Sequence, residues 1–251
     1  MQPQKVYCFH EMHPHGRVAW YEARRAGIPT ISIQHASIGR TKLWYFPSPE
    51  ELNAGLATPD EFVVFSEKDL NLLKPFYPQE TQFRLGCGPR FAYWKSVRLP
   101  QGKRVASDSP VLFTSSLAWW DSEVVLQAVE RLLQDPEQRR RHIVISLHPA
   151  AVLKRSRRRW LNKMIEQGSI EMSSRSLEEN LMRSAAVVGM NTTVLEEAAL
   201  AGSAVIVLES STFLSFATGL GIHIPLERFS WDTVEQAITS GIKEDLTARF
   251  L

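Results

Sequence analysis

Residues 141–208 contain two short apolar runs, each followed directly by polar residues, and this arrangement restricts the fold more than any other part of the chain. The first run, 143–147, is rich in β-branched residues, as buried strands are. It stops at His148 and Pro149, because a proline cannot donate the hydrogen bond that a central strand requires. His148 is therefore predicted to lie at the end of a buried strand.

The second run, 186–188, leads through Gly189 into a polar turn and then into apolar residues at helical spacing. Gly202 follows the helical pattern, and another apolar run follows Gly202. This order predicts a strand, a turn, a helix and a second strand. The residues of the polar turn are Asn191, Thr192 and Thr193.

A turn of this kind is typical of an anion-binding site. The first N–H groups of a helix have no partner within the helix, and together with the helix dipole they attract phosphate. The hydroxyl groups of Thr192 and Thr193 reach the same anion, and Asn191 lies in the same turn, so the three residues are predicted to bind it. Two alternatives stay open: the three residues only cap the helix, and the pair His148–Pro149 only closes its strand.

The composition excludes several classes of protein. Hydrophobic residues make up 44% of the chain and charged residues 22%, as in ordinary globular domains. No apolar run approaches the ~20 residues that a membrane-spanning helix needs. Cys8 and Cys87 alone form neither a disulfide framework nor a zinc-binding pattern. These features favour a cytoplasmic protein.

Basic residues are clustered although the net charge is only +2. Residues 154–160 are mostly Lys and Arg and end at Trp160. Such a segment is expected to make peripheral contact with an anionic membrane at its inner face; the alternative is a solvated helix face. No DNA- or RNA-binding motif accompanies the segment, so no nucleic-acid partner is expected.

Strands and helices alternate on both sides of a polar, proline-bounded stretch, 95–110. The residue pattern predicts a strand at 111–114, a helix that Ser66 caps, and further helices at 18–26, 123–133, 151–167 and 177–183. Alternation predicts parallel sheets with right-handed crossovers. We therefore predict an α/β protein with two Rossmann-like lobes. The first spans 1–107 with its linker and is short, and the second spans 108–251.

The order of motifs resembles GT-B-type glycosyltransferases of bacterial surface-polysaccharide synthesis. More narrowly, it resembles the His-Pro-motif transferases that use CMP-sialic acid or CMP-Kdo, and the CDP-glycerol transferases. The resemblance is carried by EARRAGIPTISIQHA (22–36), DEFVVFSEKD (60–69), RLGCGPRF (84–91), VISLHPA (144–150) and residues 176–208. The turn of this chain reads Asn-Thr-Thr where the family usually has Ser-Ser or Ser-Thr.

The resemblance implies that the first lobe, 1–107, is a reduced acceptor-side lobe and that the second, 108–251, binds the nucleotide-sugar donor. His148, with Pro149, is implied to contact the donor phosphate, and Thr192 and Thr193 to bind phosphate or ribose. Glu197 is implied to hold a ribose hydroxyl, although a surface position on its helix is the alternative. We also expect Arg175 to stabilise the leaving phosphate.

Transfer to an acceptor hydroxyl needs a base. Glu11, at the end of the first predicted strand, is our candidate, with His13 and then His10 as alternatives. The cluster of His10, Glu11, His13 and His15 also permits a zinc interpretation, but Pro14 opposes a helical pair of ligands. We expect no metal or other cofactor.

Acceptor-side residues are expected in the segments that follow the second strand of the first lobe. His35 lies at that strand end, and Arg40 and Trp44 lie in the aromatic loop 36–46, whose rings and basic groups suit binding of an anionic glycan. Ordinary core packing of the aromatic rings is the alternative.

Together these features predict a glycosyltransferase with a nucleotide-sugar donor, CMP-linked in preference, and a surface polysaccharide or lipopolysaccharide acceptor. One alternative is a non-catalytic nucleotide-sugar or glycan-binding module. Because the first lobe is short, a half-enzyme whose first lobe is completed by a partner chain is another. A sugar-nucleotide epimerase of the same architecture is the third.

Overall fold

The computed structural model describes residues 3–9, 14–36, 38–39, 42–86, 88–96, 106–134, 141–213, 215 and 220–240. These residues fall into two compact units, the first within 1–96 and the second within 97–244. The boundary expected at residue 108 adjoins residues 97–105, which lie outside the described ranges, and it stays a prediction.

The first unit contains a parallel sheet of four strands, whose order in the sheet equals their order in the chain. The strands are β1 (Val6–Cys8), β2 (Thr30–Ile33), β3 (Glu61–Val64) and β4 (Gln82–Leu85). The helices are α1 (Pro14–Arg25), α2 (Pro49–Asn53), α3 (Glu67–Leu73) and α4 (Pro89–Ser96), with short 3₁₀ turns at Leu43–Tyr45 and Lys74–Phe76.

The helix starts follow local chemistry. The Ser66 hydroxyl accepts a hydrogen bond from the Asp69 N–H and caps α3, as the sequence predicts. Helix α1 begins at Pro14, four residues before the predicted start at Val18. A proline is tolerated in the first turn, since its missing N–H has no helical partner there in any case. Residues 10–13 lie outside the described ranges, so the expectation that Pro14 opposes a helical pair of metal ligands stays a prediction.

Aromatic residues form the core of the first unit. Trp20 of α1 and Phe62 of β3 are fully buried. The Phe62 ring stacks on Phe83 with centroids 5.7 Å apart and meets Tyr77 edge-on, also at 5.7 Å. The contact with Tyr77 holds the turn after α3 on the sheet, and Trp20 of α1 belongs to the same buried cluster.

The second unit contains a parallel sheet of six strands. The strands are β5 (Val111–Thr114), β6 (Ile143–Ser146), β7 (Glu171–Met172), β8 (Ala186–Gly189), β9 (Ala204–Glu209) and β10 (Ile222–Pro225). The helices are α5 (Trp119–Leu133), α6 (Arg155–Glu166), α7 (Leu177–Arg183), α8 (Val194–Leu200) and α9 (Trp231–Ser240), with a 3₁₀ turn at Leu226–Arg228.

The strands of this sheet lie in the order β10-β9-β8-β5-β6-β7. Counted from β5 as the first strand, this is 3-2-1-4-5-6 read from the β7 edge, the strand order of the Rossmann fold. Strand β5 is buried at all four positions, as the continuous apolar run of a central parallel strand requires. The predicted fold class, α/β with parallel sheets flanked by helices, is confirmed, and the first sheet is the smaller of the two.

Helices α5 and α6 differ from their predicted bounds. Helix α5 begins at Trp119, four residues before the predicted start, because Trp119 and Trp120 pack against Phe213 with centroids 5.7 and 6.5 Å away. Helix α6 begins at Arg155 rather than at residue 151. Among the described residues, no helix has both the length and the apolar character that crossing a bilayer requires.

Candidate functional site

The strand order of the second sheet is sufficient to form a crevice at the carboxyl ends of β5 and β8. From β5 the chain proceeds to β6 on one side, whereas β8 lies on the other side of β5. The loops that follow β5 and β8 therefore diverge, and ligands of Rossmann-type sheets bind at this switch point, outside the carboxyl ends of the strands. The described strands of the first sheet follow each other in chain order and contain no switch point.

Ser115, directly after β5, connects the loops of two neighbouring strands. Its side chain is buried, and its oxygen lies 3.4 Å from the His148 N–H, at the carboxyl end of β6. The Ser122 hydroxyl, on the first turns of α5, donates to the same oxygen at 3.1 Å. The position of His148 relative to the end of β5 is thus fixed by hydrogen bonds.

Asp121 connects the loops on the two sides of the switch point. It is fully buried in the first turn of α5, and its carboxylate accepts the N–H of Ser116 at 2.6 Å and the N–H of Asn191 at 3.1 Å. Burial raises the pKa of Asp121, while the hydrogen bonds from Ser116 and Asn191 act in the opposite direction. The ends of β5 and β8 share one buried acceptor.

The His148 ring has a defined donor atom. Its Nδ1 accepts the N–H of Ala150 at 3.1 Å, within the turn that contains Pro149. A neutral imidazole whose Nδ1 is an acceptor carries its proton on Nε2. His148 and Pro149 are both exposed, so Nε2 presents an N–H at the carboxyl edge of the sheet. The prediction that His148 lies at a strand end is correct.

The Asn-Thr-Thr turn lies at the carboxyl end of β8, and its three residues have different contacts. The Asn191 N–H donates to Asp121, and the Thr192 hydroxyl accepts the N–H of Val194 at 3.3 Å. Thr193 is the cap residue of α8, but its side chain makes no capping hydrogen bond. Simple capping thus accounts for Thr192 but not for Thr193.

Gly189 allows the turn to lie close to β5. A Cβ atom at this position would be 2.9 Å from the carbonyl oxygen of Thr114 and 3.1 Å from Cγ2 of Thr192. Any larger residue would push the end of β8 and its turn away from β5. The glycine is therefore required by packing at the switch point itself.

Glu197 and Arg175 have contrasting positions. Glu197 is only 3% exposed in the first turn of α8, so the alternative of a surface position is wrong. Arg175 is exposed and follows β7, the edge strand; two strand spacings, about 10 Å, separate β7 from β5. Its backbone is held by Ser173 and Asn180. Arg175 shares the carboxyl edge with the crevice but lies to one side of it.

The predicted residues of the first unit are only partly described. Glu11, His13 and Arg40, with His10, lie outside the described residues. His35 is half-buried after β2, and Trp44 is 40% exposed in a 3₁₀ turn. The Trp44 ring lies 6.3 Å from that of Tyr45, which is buried, so core packing describes Tyr45 and not Trp44.

The zinc interpretation is not tested, because of its four residues only His15 is described, exposed in α1. Within the described ranges, no group of three or more His, Cys, Asp or Glu side chains is arranged to hold a metal ion.

The basic segment 154–160 is not uniformly solvated. Arg157 binds Glu123 and Glu130 of α5. Lys154 lies over the Trp119 ring, with Nζ 5.0 Å from the centroid. Arg155, Arg158 and Arg159 are exposed. The alternative of a fully solvated helix face is therefore wrong for Arg157, whereas Arg155, Arg158 and Arg159 face solvent.

No prediction from the sequence included Ser115, Ser116 or Asp121. The signal for the two serines was present, since polar residues directly follow the apolar run of β5, as they do at His148. Asp121 had no such signal, because its role depends on an acceptor contact with Asn191, 70 residues further along the chain.

No protein-family model matches this sequence, and the comparison with curated proteins finds no match either. Solved structures are similar in fold. The UDP-GlcNAc 2-epimerase of Methanocaldococcus jannaschii, in complex with UDP-GlcNAc and UDP, has a TM-score of 0.61 at 14% identity, over 97% of this chain and 70% of that chain.

Two further structures are similar at a comparable level. S. aureus MnaA, in a co-structure with UDP, has a TM-score of 0.55 at 15% identity, over 82% of this chain and 56% of that one. The glycotransferase of kitacinnamycin has a TM-score of 0.54 at 14% identity, over 98% and 69%. The fold that this chain shares with them is of the GT-B type, with Rossmann-like units. At these identities the similarity concerns the fold alone.

Proposed function

We propose that the crevice between the ends of β5 and β8 binds a nucleotide-sugar, and that the protein is a glycosyltransferase acting on a bacterial surface polysaccharide or lipopolysaccharide. The observation that carries the proposal is the meeting of three loops at the Rossmann switch point, where Ser115 and Asp121 hold them together. Preorganised donors at such a crevice suit a phosphate group. The sequence resemblance favours a CMP-linked donor.

Each residue of the crevice has a definite proposed role. His148 donates its Nε2–H to a phosphate oxygen, because its Nδ1 is occupied by Ala150. The hydroxyls of Thr192 and Thr193 donate to the same phosphate or to the ribose. Glu197 accepts a hydrogen bond from a ribose hydroxyl, and Arg175 balances the charge of the leaving phosphate from the side of the crevice.

In the proposed reaction, the acceptor oxygen forms a bond to the anomeric carbon of the donor sugar. The bond from that carbon to the phosphate oxygen breaks, and the nucleotide leaves with the electron pair. Glu11, or His13 in its place, takes the proton of the acceptor hydroxyl, and His35, Arg40 and Trp44 contact the acceptor. We expect no metal requirement, because the N–H and hydroxyl donors stabilise the phosphate; activity lost on chelation and restored by magnesium would contradict this.

Calorimetric titration with CMP, CDP, UDP and GDP tests the donor site. UDP is included because two of the similar structures hold it. We expect selective binding of a cytidine nucleotide and a loss of at least about tenfold in affinity for His148→Ala, as for one hydrogen bond to a charged group.

His142→Ala is the matched control. His142 precedes the same strand, β6, at its opposite end, where its ring contacts Glu171 at 3.0 Å. We expect it to bind nucleotide like the parent protein. If His148→Ala also binds like the parent, the proposed donor site is wrong.

A turnover assay separates the alternatives. Each nucleotide-sugar is incubated with and without acceptor glycans, and free nucleotide and the configuration at C2 of the sugar are followed. Transfer supports the glycosyltransferase; binding without turnover of any donor indicates a binding module or a half-enzyme that needs a partner chain. Inversion at C2 without transfer indicates an epimerase.

A further inference from the structure

Asp121 occupies an unusual position for a carboxylate. It is fully buried, and both of its oxygens accept backbone N–H groups, Oδ2 from Ser116 and Oδ1 from Asn191. A buried carboxylate is unfavourable unless it is hydrogen-bonded, so the two N–H groups and the carboxylate hold each other in place. Because Ser116 follows β5 and Asn191 follows β8, the carboxylate bridges the switch point.

The two hydrogen bonds to Asp121 also determine which hydrogen-bond donors can face a ligand. The N–H groups of Ser116 and Asn191 are bound to Asp121 and do not serve a phosphate. The next groups along the turn after β8 are the hydroxyls of Thr192 and Thr193, and Thr193 makes no capping contact. The orientation of these hydroxyls therefore depends on the Asn191–Asp121 hydrogen bond.

The third loop is connected to the same centre. Ser122 is adjacent to Asp121 on α5 and donates to the Ser115 oxygen, which also lies 3.4 Å from the His148 N–H. A shift of the first turn of α5 thus moves the loops after β5, β6 and β8 together.

We infer that Asp121 is the positioning residue of the nucleotide site: it holds the loops after β5 and β8 in register, so that His148 and the threonine hydroxyls face one phosphate group. This inference rests on the proposed nucleotide-binding function. Asp121 itself does not touch the ligand.

The first measurement concerns the full chain without nucleotide. In Asp121→Asn, one oxygen becomes an NH2 group that cannot accept an N–H, so at least one loop is released. We expect hydrogen exchange at the amides of Ser116 and Asn191 to increase at least about tenfold, while exchange in the sheet changes little. Unchanged exchange at both amides would overturn the inference.

The second measurement is nucleotide affinity. We expect Asp121→Asn to weaken binding of the preferred nucleotide by about 10-fold to 100-fold, the range for losing charge-assisted contacts. Glu123→Gln is the matched control, because Glu123 lies on the same helix and binds Arg157 of α6 rather than the loops. If Asp121 had only a structural role, two variants with the same loss of thermal stability would lose the same nucleotide affinity. Equal losses of affinity in Asp121→Asn and Glu123→Gln, at equal thermal stability, would therefore overturn the inference.

Two outcomes distinguish this inference from the proposed function. If the parent protein binds none of the four nucleotides, the proposed function fails, and the positioning role fails with it. If the parent binds and Asp121→Asn binds equally well, only the positioning role fails. Should Asp121→Asn not fold, Asp121→Ser, which keeps one small acceptor and leaves room for water, is measured in its place with the same expectations.

Discussion

Arg157 of α6 binds Glu123 of α5 through two nitrogens, with Nε 2.9 Å and Nη2 2.7 Å from the same carboxylate oxygen. Its remaining nitrogen, Nη1, lies 2.8 Å from Glu130. Both Arg157 and Glu123 are less than one-fifth exposed, so solvent screens the pair only partly. The contact holds two helices together and assigns a structural role to one cation of the basic segment.

Replacing Arg157 by Gln should destabilise the protein by about 1–3 kcal/mol, since charge-assisted hydrogen bonds to two glutamates are lost. The free energy of unfolding in urea measures the effect. Arg158→Gln is the control, because Arg158 is exposed and its loss should change stability by less than about 0.5 kcal/mol. Equal effects of the two substitutions would contradict the assignment.

Acid should weaken the same contact. Burial opposes ionisation of Glu123, but the hydrogen bond and charge of Arg157, with smaller contributions from Gln127 and Lys154, outweigh it and hold the pKa of the carboxyl below its usual value. A carboxyl group whose pKa is lower in the folded state stabilises the fold at pH values above its unfolded pKa, about 4.3. This stabilisation disappears as the pH falls through the lowered pKa.

Glu123→Gln should therefore be less stable than the parent at about pH 7, and the difference should shrink towards about pH 3. Urea denaturation of both proteins at several pH values measures the difference. A gap that stays constant with pH would show that the charge of Glu123 is not what stabilises α6 on α5.

The exposed cations of the basic segment should bind anionic membranes, which is the peripheral contact expected from the sequence. Combined replacement of Arg155, Arg158 and Arg159 by Gln should weaken binding to phosphatidylserine-containing vesicles by about 3 kcal/mol, near 1 kcal/mol for each residue. Sedimentation with vesicles measures the loss, and neutral vesicles are the control. Equal binding by parent and variant would leave these residues as a solvated surface.

Gly189→Ala should damage both stability and the proposed site. The added methyl group would approach the Thr114 carbonyl oxygen to 2.9 Å, so the end of β8 must shift. We expect a loss of about 1–3 kcal/mol, as for overpacking, together with weaker nucleotide binding. Gly168→Ala is the control, because Gly168 has a positive φ of 67° with open space around it, and its replacement should cost stability without affecting binding.

Gln34→Glu should introduce a carboxylate that destabilises the fold when it is ionised, whereas ionised Glu123 stabilises the fold. The Gln34 amide is buried, donates to Asp69 at 3.0 Å and accepts the N–H of Phe65 at 2.8 Å. A carboxylate there would face Asp69, and repulsion would raise its pKa, so the variant should gain stability relative to the parent as pH falls. The difference in melting temperature between variant and parent, at about pH 7 and about pH 5, measures the change. An equal difference at both pH values would show that the charge of the introduced carboxylate is not the cause.

Several elements of this fold were predictable because their determinants are local. The strand β5 and the capped helix α7 have the predicted bounds, Val111–Thr114 and Leu177–Arg183. The capping box of Ser176 and Glu179 explains the second case, since both partners lie within three residues of each other.

The candidate site was predictable only where its residues directly follow a buried strand. His148 and the turn at Asn191, Thr192 and Thr193 follow buried strands, and the sequence places them there without further information. The bond of His148 Nδ1 to Ala150 and the burial of Glu197 were not predictable, because the same residue types also occur in solvated turns and on helix surfaces.

By itself, the sequence determined that this is an α/β protein of alternating strands and helices, because apolar periodicity and chain breakers act over a few residues. Only the tertiary structure decided that β8 lies beside β5 and that Asp121 and Asn191, 70 residues apart, share a hydrogen bond. Neighbouring positions in a sheet depend on which apolar faces pack together across the whole unit, and no local pattern encodes that choice.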